Sequence, residues 1–210
     1  MSQTEGTRVQ LGSHPAVRRA STADIGTLSG ALARAFFDDP VSAWSCRPES
    51  MRPAMLERFF AIRLRQMLVD AEVWTTPELA SAALWAPPQR WRTSVRETLE
   101  LARPLMHPRL LWRLPLITSG LADMERRHPR KPPHWYLAVL GTDPAEQGRG
   151  LASAVLAPVL ERCDADQVGA YLESSKERNI AFYSRHGFRV REEVRFPHGP
   201  RVWPMWRDPR

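Results

Sequence analysis

A single-domain α/β fold is what this chain of 210 residues predicts, and three observations carry the prediction. The length suits one domain with a sizeable core. Helical and extended patterns alternate along most of the chain instead of segregating. In "GTDPAEQGRGLASAVL" (Gly141–Leu156), an extended run hands over to a helical one across two glycines that flank Arg149. The apolar fraction of 43% is that of a globular protein.

Residues 1 to 14 are polar, lack the apolar core of a signal peptide, and read as a flexible tail; 15 to 210 read as the domain. "AVRRA" is a short strand. Thr22 and Asp24 offer an N-cap, and Ile25, Leu28, Leu32 and Phe36 recur at helical spacing. That helix stops by "DDP", because Pro40 disfavours helix at the residue before it. A second helix fits Glu49–Val69. "EVWTTPE" and "LASAALWAP" are strands joined by a turn near Pro77 and Glu78. From Thr93 to Arg127 the helical pattern is broken at Pro104, Pro108 and Pro115, which predicts two or three short helices, and "RHPRKPP" is a linker. "HWYLAVLGT" is a strand, "GRGLASAVLAPVLERC" a helix and "GAYLES" a strand. "ERNIAFYSRHG" is a short helix ending on Gly187, a residue suited to a left-handed C-cap. "FRVREEVRF" and "RVWPMW" are two closing strands. Pro158 sits inside the long helix, where a proline costs about 3 kcal/mol; either the helix kinks or the span is too long.

Composition excludes several classes. A net charge of +7 favours anionic ligands, but the basic residues form neither a block nor a helical stripe, so nucleic acid is not expected as a partner. No apolar run is long enough to span a bilayer. Cys46 and Cys163 share no metal-ligand spacing and read as buried thiols in a reducing compartment, giving a cytoplasmic protein. His128, His134 and His198 have no metal partners at useful spacing, and no metal is expected. His186, at a helix end, needs no more than the helix dipole to account for it.

The glycine turn is built for an anion. The first turn of a helix has free amides and about half a positive charge. Gly148 and Gly150 allow positive φ and close approach, Arg149 adds a charge, and Gln147 adds donors. A P-loop fails because Leu151 stands where lysine is required, and a Rossmann fingerprint fails because Ser153 stands at its sixth position. The pattern [QR]-x-x-G-x-[GA] at a helix start fits Gln147, Gly150 and Ala152.

That pattern resembles the GNAT superfamily of acyl-CoA N-acyltransferases. So does "ERNIAFYSRHGF", which places Asn179, Tyr183, Gly187 and Phe188 in register with the family's N-x-x-x-x-Y-x-x-x-G-F signature. Within the superfamily the chain is most similar to puromycin N-acetyltransferases and their relatives. The shared segments are "TTPE", "RKPPHWYLAVLGTDPAEQGRGLASAVLAP", "AYLESSKERNIAFYSRHGF", "GPRVWPM" and, more loosely, "AFFDDP". The likeness holds best from Trp135 to Val190 and is poor from Thr93 to Glu125, where an acceptor would be read.

The resemblance implies a GNAT fold, with a mixed sheet and helices on both faces, and acetyl-CoA as acyl donor. It puts the CoA pyrophosphate on the amides of Gln147, Gly148, Arg149, Gly150, Leu151 and Ala152. The pantetheine arm would run beside "LAVLGT", pairing near Leu140 and Thr142, with Asn179 either touching it or capping its own helix. Tyr183 is implied as the acid that protonates the departing thiolate, and Glu173 as the base that takes the amine's proton directly or through water. Asp38 and Asp39 can attract a cationic amine, or simply end the helix before Pro40. Phe36, Phe37, Trp44 and Trp85 can wall an acceptor site, with core packing the default for each. The implied reaction is acetylation of a primary amine on a small molecule such as an aminonucleoside or antibiotic-like amine. A protein N-terminal or lysine acetyltransferase and a non-catalytic acyl-CoA-binding module stay open as alternatives, and a homodimer is one assembly left open.

Overall fold

The computed structural model describes residues 15–70 and 72–210, so the tail expected over 1 to 14 lies outside the described residues. β1 (Arg18–Arg19) pairs antiparallel with β2 (Val73–Thr75). Asp24 accepts from the Ser21 amide (2.7 Å) and from Arg18 (2.8 Å), closing the turn that leads into α1 (Ile25–Ala35). Pro40 does end that run, but it also opens a helix the sequence reading missed, α2 (Pro40–Ser45). Asp39 is its N-cap, accepting from the amides of Val41 and Ser42, and proline is at home in a first turn. α3 (Arg52–Met67) follows inside the span expected.

β2 turns into β3 (Ser81–Ala86), and β3 pairs antiparallel with β4 (His134–Thr142). The proline-broken stretch between β3 and β4 gives α4 (Val95–Ala102), α5 (Leu114–Arg127) and short 3-10 turns. α6 (Leu151–Ala165) carries the chain over to β5 (Gly169–Ser174), which runs parallel to β4; a parallel neighbour requires such a crossover. α7 (Ile180–Arg185), β6 (Arg189–Val190), β7 (Val194–Arg195) and β8 (Arg201–Arg207) complete the chain. The strand expected over "FRVREEVRF" is thus two short strands. Both lie on β8, and the sheet runs β1-β2-β3-β4-β5-β8-β6.

Pro158 and Pro204, in the interior of a helix and a strand, are tolerated for local reasons. Pro158 stays within α6, which buries Val155, Leu156 and Val159 completely enough to offset the lost hydrogen bond. Pro204 lies opposite Glu173 of β5, while its carbonyl accepts from Arg191 just past β6. Its missing N–H therefore falls on that same side, in the gap between β6 and β7, where no ladder partner is needed.

One face of the sheet packs Leu84 and Val139 under Leu28, Leu32, Phe60 and Leu64 of α1 and α3. The other packs Trp85, Leu137 and Leu172 under Val155, Leu156 and Val159 of α6. A smaller cluster joins Trp44 of α2 to Ile117 and Met124 of α5 and to Val194, Phe196 and Val202 at the β7–β8 hairpin.

One irregularity in β4 opens the sheet. Leu84 opposes Val139 and Trp85 opposes Leu137, so Ala138 is an extra residue, a β-bulge. Pairing between β4 and β5 stops at Leu137–Leu172, although both strands continue. Past the bulge they diverge in a V.

Candidate active site

A cavity of about 560 Å³ fills the V. Its walls are β4 from Leu137 to Thr142, the end of β5 and the loop after it, the glycine turn, and one face of α7. The predicted residues Phe36, Asp39, Leu140, Thr142, Gln147, Gly148, Gly150, Leu151, Ala152, Glu173, Asn179 and Tyr183 all line it. Arg149 and Asp38 do not.

Gly148 and Gly150 have φ of +80° and +76°, the left-handed region, and Gly150 is the N-cap of α6. A Cβ at either would meet nothing within 4 Å, so the requirement there is conformational, and open space lies in front of the backbone. The intrahelical ladder begins with Ala154 donating to Gly150 (3.1 Å). The amides before it, from Gly148 to Ala152, find no acceptor among the described residues. Free amides, a helix N-terminus and left-handed glycines suit a diphosphate.

Two of the expected donors are engaged elsewhere. Gln147 Nε2 donates to the Thr142 carbonyl (3.2 Å), tying the turn to the end of β4. Arg149 is ion-paired with Glu146 and points to solvent. The cations on the cavity wall are instead Lys176, Arg178 and Arg185, which the sequence reading did not select. Lys176 pairs with Asp38 (2.5 Å), and Arg178 with the same carboxylate (3.2 Å), which holds that carboxyl below its usual range. Asp39 accepts from Ser175 as well as capping α2, and burial pushes its carboxyl up. Both aspartates therefore fasten the loop before α2 to the loop after β5, across one end of the cleft. Of the two readings the sequence left open for these aspartates, the pairings favour the structural one, since neither carboxylate is left without a partner.

The Tyr183 ring is buried at 8% exposure. No hydrogen bond holds its hydroxyl among the described residues, and the side chain lines the cavity. Burial, with the nearby Asp39 charge adding to it, raises the phenol above its ordinary value, so it carries its proton at neutral pH. Asn179 stands at the N-cap of α7 but makes no capping bond with its side chain, which leaves that side chain to the cavity. His186 Nε2 is 3.0 Å from Ser153 Oγ, and burial lowers its pKa, so the bond to Ser153 and not a charge on the dipole accounts for it. Trp44 and Trp85 are core residues. Cys46 and Cys163 are buried free thiols, and burial pushes Cys163 up to about 12.

Glu173 leaves β5 just where β4 diverges. Its Oε2 accepts from Tyr136 (2.7 Å), and its Oε1 lies 3.6 Å from His128 Nδ1. His128 and His134 pack against each other and against Tyr136 and Tyr171. Sequence spacing hid this group, since the histidines sit in a loop and at a strand start, and only the reversal at Pro132 brings them together. Among the described residues no cluster of three or more His, Cys, Asp or Glu is arranged for a metal, and no helix is long and apolar enough to cross a membrane.

Residues 118–188 match the model of the acetyltransferase (GNAT) family. This segment holds β4, the glycine turn, α6, β5 and α7. The chain is 25% identical over 190 residues to an uncharacterized N-acetyltransferase of Schizosaccharomyces pombe, covering 85% of this chain and 76% of the relative. Among solved structures it is similar to one from Corynebacterium glutamicum described as histone acetyltransferase HPA2 and related acetyltransferase. That match has a TM-score of 0.65 and 23% identity, over 94% of this chain and 98% of the other. It is also similar to a polyamine N-acetyltransferase of Drosophila melanogaster, with a TM-score of 0.59 and 15% identity, over 92% and 99% of the two chains. These likenesses at low identity speak for the fold. Taken with the family-model match and the fission-yeast relative, they make the chain an acyl-transferring enzyme of the GNAT fold.

Proposed function

We propose that this protein moves the acetyl group of acetyl-CoA to a primary amine of a small molecule in the cytoplasm. The observation that carries the reading is the continuity of one cavity. It starts at the free amides of Gly148–Ala152, runs along the open edge of β4 and reaches both Tyr183 and Glu173. The turn would hold the diphosphate, and the β4 edge from Val139 to Thr142, unpaired on its β5 side, would pair with the amides of the pantetheine arm. Asn179 would face that arm.

Each side chain then has one task. Glu173 accepts a proton from the amine, which makes the nitrogen a nucleophile. Backbone amides at the divergence of β4 and β5 are placed to donate to the oxyanion. Tyr183, protonated at neutral pH, gives its proton to the leaving sulfur. Polyamine acetylation by the Drosophila neighbour and the resemblance to puromycin N-acetyltransferases both favour a compact amine as acceptor. The acceptor class includes aminonucleosides and antibiotic-like amines.

The test is a screen of amines with acetyl-CoA, read by release of free thiol. It should include polyamines, aminonucleosides, free lysine and peptides with free N-termini. Thiol release with small amines and none with peptides is the expected outcome. Release with peptides alone would replace the small-molecule reading by a protein acetyltransferase. Binding of acetyl-CoA without release for any amine would replace it by a non-catalytic module.

A further inference from the structure

A pair of buried histidines, of which His128 lies against Glu173, has no task in simple amine-to-carboxylate proton transfer, although their hydrogen bonding is directional. His134 Nδ1 donates to the Pro132 carbonyl (2.8 Å), which leaves a lone pair at His134 Nε2. His128 Nε2 lies 3.0 Å from that atom, so His128 is the donor. A neutral His128 then carries its other lone pair at Nδ1, facing Glu173 Oε1 at 3.6 Å. This separation is too long for a hydrogen bond, as two facing acceptors require. One added proton would turn the opposed lone pairs into a charge-assisted bond.

The surroundings fix the ring and shield it. His128 is 4% exposed and His134 2%. Trp91 stacks on His128 with ring centroids 3.7 Å apart, and the rings of Tyr171 and Tyr136 pack steeply against it at 4.6 and 4.8 Å. Burial lowers the pKa of His134, which keeps it neutral and able to accept. The titratable and charged groups around the pair are Tyr136 on β4, Tyr171 and Glu173 on β5, Arg63 on α3, and Arg191 and Glu192 after β6.

We propose that Glu173 and His128 form a two-stage proton acceptor for the amine, with His134 as the positioning residue that fixes the His128 tautomer. The proposal rests on the acetyl-transfer reading. In the first stage the amine's N–H bond breaks and an O–H bond forms at Glu173 Oε1. In the second that O–H bond breaks and an N–H bond forms at His128 Nδ1. The carboxylate is anionic again and His128 is an imidazolium, bonded to Glu173 on one side and to His134 on the other. The proton returns to the cleft by the reverse path after the product leaves.

Two measurements test it. The first needs no substrate: nitrogen-15 spectra of the full chain at pH 8 should show His134 protonated at Nδ1 and His128 at Nε2. The second compares His128→Asn with wild type, using amines accepted in the screen. On a primary alkylamine the variant should lose about a hundredfold in kcat, with the acetyl-CoA dissociation constant and the amine KM within about twofold. The loss should shrink below about tenfold for a weakly basic amine, which sheds its proton to water unaided. The acid limb of the pH–rate profile should move in the same variant. His134→Gln, which keeps an acceptor, should retain more activity than His134→Leu. A His134 protonated at Nε2 overturns the relay, and this holds even if the variants do not fold. An unchanged kcat and pH profile in His128→Asn, or an equal loss with both amines, overturns the relay while acetyl transfer stands. A wild-type protein that transfers to no amine overturns the functional reading and takes the relay with it.

Discussion

At the scale of residues, Tyr183 holds a feature a merely structural role does not require. Tyr183 buries its ring but leaves its hydroxyl unbonded at the cavity wall. Tyr183→Phe keeps the ring packing and removes only the donor. Its kcat should fall about a hundredfold with acetyl-CoA affinity held within about twofold, as separate turnover and calorimetric measurements would show. Equal turnover in the variant removes Tyr183 from the mechanism. That the glycine turn and Tyr183 line the cleft was legible because each belongs to a motif with fixed local spacing, whereas Glu173 was suggested only by its register with the relatives the sequence resembles. The engagement of Arg149 by Glu146, and of Asp38 by Lys176, was not legible. Ion pairing of Asp38 with a lysine far along the chain depends on how two loops meet, and no local pattern encodes that.

At the scale of elements, the cleft is a consequence of one extra residue. Tyr136, Ala138 and Val139 belong to the core under α1 and α3, whereas Leu137 and Leu140 belong to the core under α6. Ala138 and Val139 therefore share a face, as a bulge allows. Deleting Ala138 would keep Val139 opposite Leu84 and every later side chain on its present face. What it removes is the bend that carries β4 away from β5. The deletion variant should fold, with a modest fall in Tm, and should bind acetyl-CoA at least about tenfold more weakly because the V closes. Wild-type affinity in that variant would show that the bulge does not open the cleft. Nothing in "HWYLAVLGT" announces the bulge, because an uninterrupted apolar run has no alternation to break. α2 was hidden for a related reason: a proline that ends one helix also suits the first turn of the next, and only the Asp39 cap decides between the two uses.

At the scale of the whole molecule, the order of strands and helices, apart from α2 and the split into β6 and β7, was legible from periodicity, glycines and prolines, while sheet order had to come from the fold. β8 sits between β5 and β6 although it is last in sequence, and that choice is made by packing. The same packing sets how stability depends on pH. Arg18 holds Asp24 well below the usual carboxylate range, and Arg207 and Arg34 lower Asp164 and Asp143. These pairs tie the entry to α1, β8 to α6, and α1 to the turn after β4. A carboxylate depressed in the folded state contributes stability that is present above its unfolded value of about 4 and is lost as pH falls toward the folded value. Asp39 acts in the opposite sense, since burial raises it, and so it softens that acid limb. His134 and His186 are lowered by burial, so protonating them favours the unfolded chain, and stability should decline as pH falls through their unfolded value of about 6.5. The urea midpoint should therefore fall in two steps, a shallow one between about pH 7 and 5.5 and a steeper one below about 4. Replacing His134 and His186 together by Gln should flatten the first step and leave the second. A midpoint constant from pH 8 to 5 in the wild-type chain would mean that neither histidine is held neutral by the fold, and the acceptor role given to His134 Nε2 would lose its basis.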